Sequence, residues 1–247
     1  MSRVLLLAFL AVLLLFPTAA RAGASDVVVS QIYGGGGNAG ATFRNDYVEL
    51  FSAGSGPVDV SGWTVQYATA AGTTWQTTAL SGTIAPGRHY LVQLASTSDV
   101  GAALPSPDAT GTSNLGATSG KIALVRATAA LTCGASAGSC SADPLVEDLV
   151  GYGDASDFEG GGSAAALSNT LSALRANDGC TDTGNNATDF TAGAPAPRNS
   201  SSATRSCGST PSPGLGGTVS VDLDVASVLS VSLDRPSLSF GTFNGRR

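Results

Sequence analysis

The stretch Ser30-Gln-Ile-Tyr-Gly-Gly-Gly-Gly-Asn-Ala-Gly-Ala-Thr-Phe-Arg-Asn-Asp-Tyr-Val-Glu-Leu-Phe-Ser52 decides the architecture of this chain. A short apolar strand runs into four glycines, Gly34 to Gly37, and crosses Arg44-Asn45-Asp46. It then enters a second strand, in which Tyr47, Glu49 and Phe51 alternate with Val48 and Leu50. Consecutive glycines make a phosphate cradle where they open a helix, whose N-terminal N–H groups face the anion. This loop opens a segment of period two, so it joins strands. Its glycines suit either the close approach of a partner backbone or glycan, or a mobile turn.

The same alternation continues outward. Val27 and Val29 begin the first strand. Trp63-Thr-Val-Gln-Tyr67 puts Trp63, Val65 and Tyr67 on one face, with Thr64 and Gln66 on the other. Thr74–Leu80, Arg88–Leu94, Lys121–Arg126 and Pro144–Gly151 follow, separated by turn chemistry at Gly54-Ser-Gly-Pro57, Ser61-Gly62, Ala71-Gly72 and Ala85-Pro86-Gly87. Short strands punctuated this regularly predict an all-β sandwich.

The N-terminus reads as a secretory signal over 1–22. Arg3 is followed by the apolar run Val4 to Phe16, then Pro17 and an Ala20-Arg21-Ala22 cleavage site. That run is shorter than the roughly 20 residues of a membrane span, and no cysteine stands near the cleavage site to make a lipoprotein. The expected location is therefore secreted, extracellular or at the cell surface, and the Ala/Gly-rich composition looks bacterial. Losing Arg3 and Arg21 with the signal leaves 10 basic residues against 18 acidic, a balance of −8, and Lys121 is the only lysine. Such a chain lacks the basic footprint that nucleic acid or an anionic membrane requires.

Cys133, Cys140, Cys180 and Cys207 are an even set in an exported chain, which favours disulfides. A zinc site competes, but there is no C-x2-C pair and His89, the sole histidine, is remote. Of three connectivities, sequential pairing is favoured, because Cys133–Cys140 and Cys180–Cys207 would each close a loop with little core of its own.

Asn45-Asp46-Tyr47-Val48-Glu49-Leu50, Val58-Asp-Val-Ser-Gly-Trp63, Ile84-Ala-Pro-Gly87 ahead of Tyr90-Leu-Val92, Ser119-Gly-Lys-Ile-Ala-Leu124 and Asp148-Leu-Val-Gly-Tyr-Gly153 occur in an order that resembles the secreted bacterial lamin-tail domain family. Cys180 to Phe190, running on to Pro195-Ala-Pro-Arg-Asn199, resembles the closing loop of its secreted members. The resemblance spans Asp26 to Ser200. It implies an immunoglobulin-like β-sandwich of lamin-tail type with long loops, notably 96–118 and 127–143, and a buried Trp63 on the third strand. A domain over 23–200 is thus followed by a flexible Ser/Pro/Gly linker over 201–217. Thr218-Val-Ser-Val-Asp-Leu-Asp-Val225 restores alternation, so 218–247 reads as an incomplete β segment. Two or three strands without a partner face are marginal in water, so this tail either pairs with another chain or begins a truncated module, the latter being favoured.

Candidate chemistry is sparse. His89 has no Gly-x-Ser-x-Gly elbow to serve and reads as a strand-face residue. Glu147 and Asp148 are adjacent on a strand and point to opposite faces, as do Asp46 and Glu49. Asp154, Asp157 and Glu159 share a Gly-rich loop that could fold to bring them together. Asp178, Asp182, Asn185, Asn186 and Asp189 offer oxygens to calcium, though their spacing is not that of an EF-hand; Asx-turns explain them equally. Asn186-Ala-Thr188 and Asn199-Ser-Ser201 are sequons that matter only in a glycosylating host.

The resemblance implies a non-catalytic extracellular module for binding, attachment or spacing, with a protein or cell-surface polymer as partner. The alternative is the accessory domain of a larger secreted nuclease- or phosphatase-type hydrolase whose catalytic part is not in this chain. A third reading, a small hydrolase in its own right, lacks a nucleophile motif.

Overall fold

The computed structural model describes residues 26–207. The expected signal, the linker beyond 207 and the alternating tail lie outside the described residues. Twelve strands follow in order: β1 (Val27–Tyr33), β2 (Tyr47–Ser52), β3 (Val58–Asp59), β4 (Thr64–Ala68), β5 (Gln76–Ala79), β6 (Thr83–Ile84), β7 (His89–Gln93), β8 (Ala109–Thr110), β9 (Gly120–Val125), β10 (Val146–Tyr152), β11 (Ser172–Arg175) and β12 (Phe190–Gly193). A six-stranded sheet of order β12-β11-β1-β2-β7-β8 and a four-stranded sheet of order β10-β9-β4-β5 are joined by a small β3-β6 ribbon. This is an immunoglobulin-like β-sandwich.

Period two fills the space between the sheets. Val27, Val29, Ile32, Val48 and Leu50 pack with Val65, Tyr67, Ile122, Leu124, Val150 and Tyr152 in one apolar cluster. In β1 the inward set steps from Val29 to Ile32, not to Gln31, because the register to β2 slips between Val29 and Gln31. The extra residue of this β-bulge lets neighbouring side chains share a face. Ser30 and Gln31 accordingly both reach Glu49 on the outer side, at 2.6 and 3.2 Å. Trp63 is only partly buried, just ahead of β4, and packs on the rim of the core. The better-buried tryptophan is Trp75, which sits outside the four-stranded sheet.

Each sheet is covered on its outer side as well. Over the four-stranded sheet, Ala123, Val125 and Leu149 meet Trp75 and Leu131, and the Cys133–Cys140 bridge closes the covering loop. Over the six-stranded sheet, Tyr33, Tyr47 and Leu91 meet Phe43 and Leu104. The exposed edge that β10 would present is closed by a side chain. Asn186 accepts from Gly151 N–H and donates to Leu149 C=O, both at 2.9 Å, in place of a neighbouring strand.

The first residues of the expected linker are fastened to the domain. Residues 201–207 are tied to the sandwich: Arg88 Nη1 donates to Ser202 C=O, Arg205 N–H donates to Gly87 C=O, and Cys207 is bridged to Cys180. Both disulfides have the sequential pairing. Ser- and Thr-rich composition reports a lack of core, which a crosslink and backbone bonds replace here.

Candidate binding face and groove

Glu49 is fully buried on the outer face of the six-stranded sheet, at the centre of a polar network. Its carboxylate accepts from Ser30 Oγ, Gln31 Nε2 and three donors of Arg198: the backbone N–H at 2.6 Å, Nη2 at 2.9 Å and Nε at 3.3 Å. His89 Nδ1 stands 3.5 Å away without a hydrogen bond, and its ring lies 4.9 Å from that of Phe51. Burial pushes the Glu49 carboxyl up, but the contacts from His89 and Arg198 outweigh it and hold it below the ordinary value. Ser30 spends its proton on Glu49 and not on His89, so the three are not arranged as a nucleophile, base and orienter. The group is a structural clamp.

The clamp closes on the segment 195–207. Gln31 grips Ala196 twice, Nε2 to its C=O at 2.8 Å and Oε1 from its N–H at 3.2 Å. Asp108 accepts from the N–H of Leu91 at 2.7 Å and of Ser200 at 3.0 Å, bridging β7 to the segment. Asp178 faces two of the segment's arginines, Arg198 and Arg205, at 3.5 Å each. It is held in the left-handed region with Asn177 (φ 58° and 53°), a conformation that Asn and Asp tolerate better than other residues with a Cβ.

A second ionic cluster lies at the end of the interior, where β11 meets β10. Arg175 pairs with Asp148 at 2.5 Å, Asp182 at 3.1 Å and Asp189 at 3.7 Å, and stacks on Phe190 at 4.5 Å. Val29, beside the bulge, gives its N–H to Asp148 and takes Arg175 Nε on its C=O. The pair thus supplies partners that a strand ladder would otherwise provide. Glu159 faces the same cluster; burial first, then the charges of Asp148 and Asp182, raise it to about 8.

These contacts place the five residues weighed as calcium ligands. Asp182 and Asp189 turn to Arg175, while Asp178 turns to Arg198 and Arg205. Asn186 plugs the β10 edge, and Asn185 Oδ1 makes no hydrogen bond. Asp182 accepts from Gly184 N–H two residues on, an Asx-turn, and Asp189 reaches back to accept from Thr183 N–H and Oγ1 and from Asn185 N–H. A guanidinium already occupies the middle of the cluster, and no group of three or more His, Cys, Asp or Glu among the described residues is placed to hold a metal ion.

The Gly-rich carboxylates are not gathered. Asp157 accepts from Ser139 and Cys140 beneath the first disulfide, Glu159 joins the Arg175 cluster, and Asp154 is exposed. Glu147 pairs outward with Arg126 while Asp148 turns inward. The four glycines are neither an open cradle nor a free turn. They are buried, and a Cβ on Gly36 would lie 2.1 Å from Asp46 N, one on Gly34 2.4 Å from Gly116 O. The close approach is by the chain's own backbone. Asp46 fastens that loop, accepting from Gly36 N–H and Leu115 N–H at 2.8 Å each. Burial outweighs these bonds and raises it to about 7.

An open groove of about 660 Å³ runs beside the closing segment, between it and the 99–105 loop. Phe43, Leu104, Pro105, Leu174 and Pro197 make its walls apolar, with Arg198 at the clamp end. Arg175, Arg198 and Lys121 carry most of the buried electrostatics, and sequence reading singled out none of them for that role. Their partners lie far away in sequence, and only the oddity of a single lysine was a signal. Lys121 Nζ donates to the C=O groups of Gly72 and Gly134, both at 2.6 Å, and to Ser156 Oγ at 3.0 Å.

Comparison with known proteins bears on this arrangement. A family model described as Lamin Tail Domain matches residues 20–176. Among solved structures, a DUF4876 family protein from Bacteroides thetaiotaomicron is similar at 12% identity and a TM-score of 0.45, over 74% of this chain and 75% of that one. No curated protein matches the chain.

Proposed function

As the chain belongs to the Lamin Tail Domain family, we propose that it is a secreted, non-catalytic β-sandwich that serves as an extracellular attachment module. Its contact surface in this reading is the groove between the closing segment and the 99–105 loop, and its partner is an extracellular protein. The observation that carries the reading is a division of labour. Glu49 and His89, the residue types that catalysis would draw on, are buried away from the groove, and Ser30 at its floor is tied to Glu49. The groove is open and apolar-walled, the surface type that protein recognition uses. Two disulfides suit an oxidising compartment, and no described helix is long and apolar enough to cross a membrane.

The test pairs binding with catalysis. The purified chain is immobilised and exposed to the secreted and envelope proteins of its host, and crosslinks of the retained protein are mapped. Wild type and Leu145→Glu, a change at an exposed position away from the groove, should retain the same partner. Leu104→Glu should lose at least about tenfold, since a desolvated charge in an interface costs well over 1.4 kcal/mol. Equal retention by Leu104→Glu would remove the groove from the reading. Hydrolysis of DNA or phosphomonoesters with calcium or magnesium would overturn the non-catalytic assignment.

A further inference from the structure

We propose that Glu159 carries a proton in the closed fold and that this proton latches the Asn186 plug on the β10 edge, so that losing it loosens the plug. The proposal goes beyond the attachment role and does not depend on the groove.

The charges around Glu159 do not balance without that proton. Asp148 on β10 and Asp182 and Asp189 in the 181–189 loop all pair with one guanidinium, that of Arg175 on β11. Glu159 is a fourth carboxyl facing the same group, half-buried and so able to exchange protons with solvent. On its own loop, Asp157 is turned to Ser139 and Cys140, and Asp154 is exposed. Acceptors exceed donors as well. Val29 N–H and Arg175 Nη2 both go to Asp148 Oδ2, while Oδ1 is buried without a hydrogen bond. Asn185 Oδ1 is a second buried acceptor without a donor. Its residue abuts the loop of Glu159, where a Cβ on Gly160 would lie 2.6 Å from Asn185 Cβ. A carboxylic acid brings one negative charge fewer and one O–H donor more than a carboxylate, and this corner lacks both.

Glu159 and the plug form one mechanical unit. Asn186 N–H donates to Glu159 C=O, and Glu159 N–H donates to Asn186 Oδ1, both at 3.1 Å. The same Oδ1 takes Gly151 N–H at 2.9 Å, and Ala187 N–H donates to Gly162 C=O at 3.0 Å. A charge on Glu159 is repelled by Asp148 and Asp182, and the loop it displaces carries Asn186 with it. The groups then uncovered are Gly151 N–H and Leu149 C=O, through which a strand edge pairs. Burial and the neighbouring charges raise Glu159 from the ordinary 4.5 to about 8 in the closed fold. The closed form therefore holds the proton more tightly than the open one. Opening becomes easier as pH rises from about 4.5 to about 8, by up to about tenfold per unit. Above that range the closed form has itself lost the proton, and the effect levels off.

The test is amide hydrogen exchange on the full chain between about pH 5 and about pH 8, with protection corrected for the intrinsic rate at each pH. Protection of Gly151 N–H should fall at least about tenfold across that range in the wild type. It should stay level in Glu159→Gln, which keeps the shape and cannot ionise. Leu115 N–H, held by Asp46, reports a carboxyl outside the latch, and its pH response should be the same in both proteins. A wild-type Gly151 that ignores pH, or an unaltered slope in Glu159→Gln, would overturn the proposal. Should that variant not fold, NMR titration of the Glu159 carboxyl carbon in the wild type decides the matter. A midpoint above about 6.5 supports the latch, and a lower one overturns it.

Discussion

Outside the four-stranded sheet the covering chain is the 127–143 loop, packed through Leu131, Trp75 and Leu149. Outside the six-stranded sheet, beside the aromatic patch, it is the 195–207 segment, held by Glu49, Asp108 and Asp178. Both sheets use a glutamine as an adaptor. Gln66 accepts from Leu131 N–H at 2.9 Å and donates to Ala129 C=O at 2.8 Å, as Gln31 does with Ala196. A side-chain amide carries the donor and acceptor of a peptide group, so it extends hydrogen bonding off a pleated surface at a right angle. Beyond the adaptor the two covers differ. Apolar packing is non-directional and tolerates adjustment, whereas a buried charge demands all its partners at once.

That contrast predicts a graded set of responses. The largest follows removal of the central charge: Glu49→Ala strands Arg198, Ser30 and Gln31 and should cost about 3–5 kcal/mol, read by chemical denaturation. A loss below 1 kcal/mol would mean that the clamp is not cooperative. Opening the bridges comes next. Loop-closure entropy assigns about 3.5 kcal/mol to the 27-residue separation of Cys180–Cys207 and about 2.4 kcal/mol to the 7-residue separation of Cys133–Cys140. Paired serine variants should therefore differ in midpoint in that order, and a reversed order would place the greater dependence on the apolar cover.

Acid should act in opposite senses on two kinds of buried carboxyl. Asp46, raised to about 7, and Glu159, raised to about 8, bind protons more tightly in the folded state. Their cost is present at alkaline pH and relieved as pH falls below those values. Glu49 is lowered, so its contribution is present above about 4.5 and lost as pH falls through its folded value. Stability should peak at roughly pH 5–6, about 2 kcal/mol above pH 8 on the account of Asp46 alone. Denaturation at three pH values checks this, and Asp46→Asn should flatten the alkaline limb. The smallest effect belongs to the adaptor on the apolar side, where Gln66→Ala should cost about 1–2 kcal/mol. Amide exchange at Leu131 should rise while exchange at Ala196 stays unchanged.

The sheets were legible because period two is local. Val48 and Leu50 against Tyr47 and Glu49 declare their faces within six residues, and both disulfides followed from the order of the cysteines. The clamp was not legible. Glu49 and Arg198 are 149 positions apart, and no spacing rule joins a strand-face carboxylate to an arginine in a Ser/Pro-rich stretch. The bulge hid the site further, since strict alternation from Val27 would have sent Gln31 inward. Composition hid the anchoring of 201–207 for a related reason: few apolar residues there say nothing of a backbone bonded to Gly87 and a crosslink at Cys207. The glycines misled in the opposite direction, their freedom being used for packing density and not for movement or recognition.

Lys121 is the chain's single lysine, and its ammonium is enclosed by Gly72, Gly134 and Ser156 with no exposure to solvent. Lysine-directed proteases, acylating reagents and amine-joining enzymes therefore meet no side-chain amine on the folded chain. The folded chain thus stays uncut at lysine and is joined to its surroundings only through other groups.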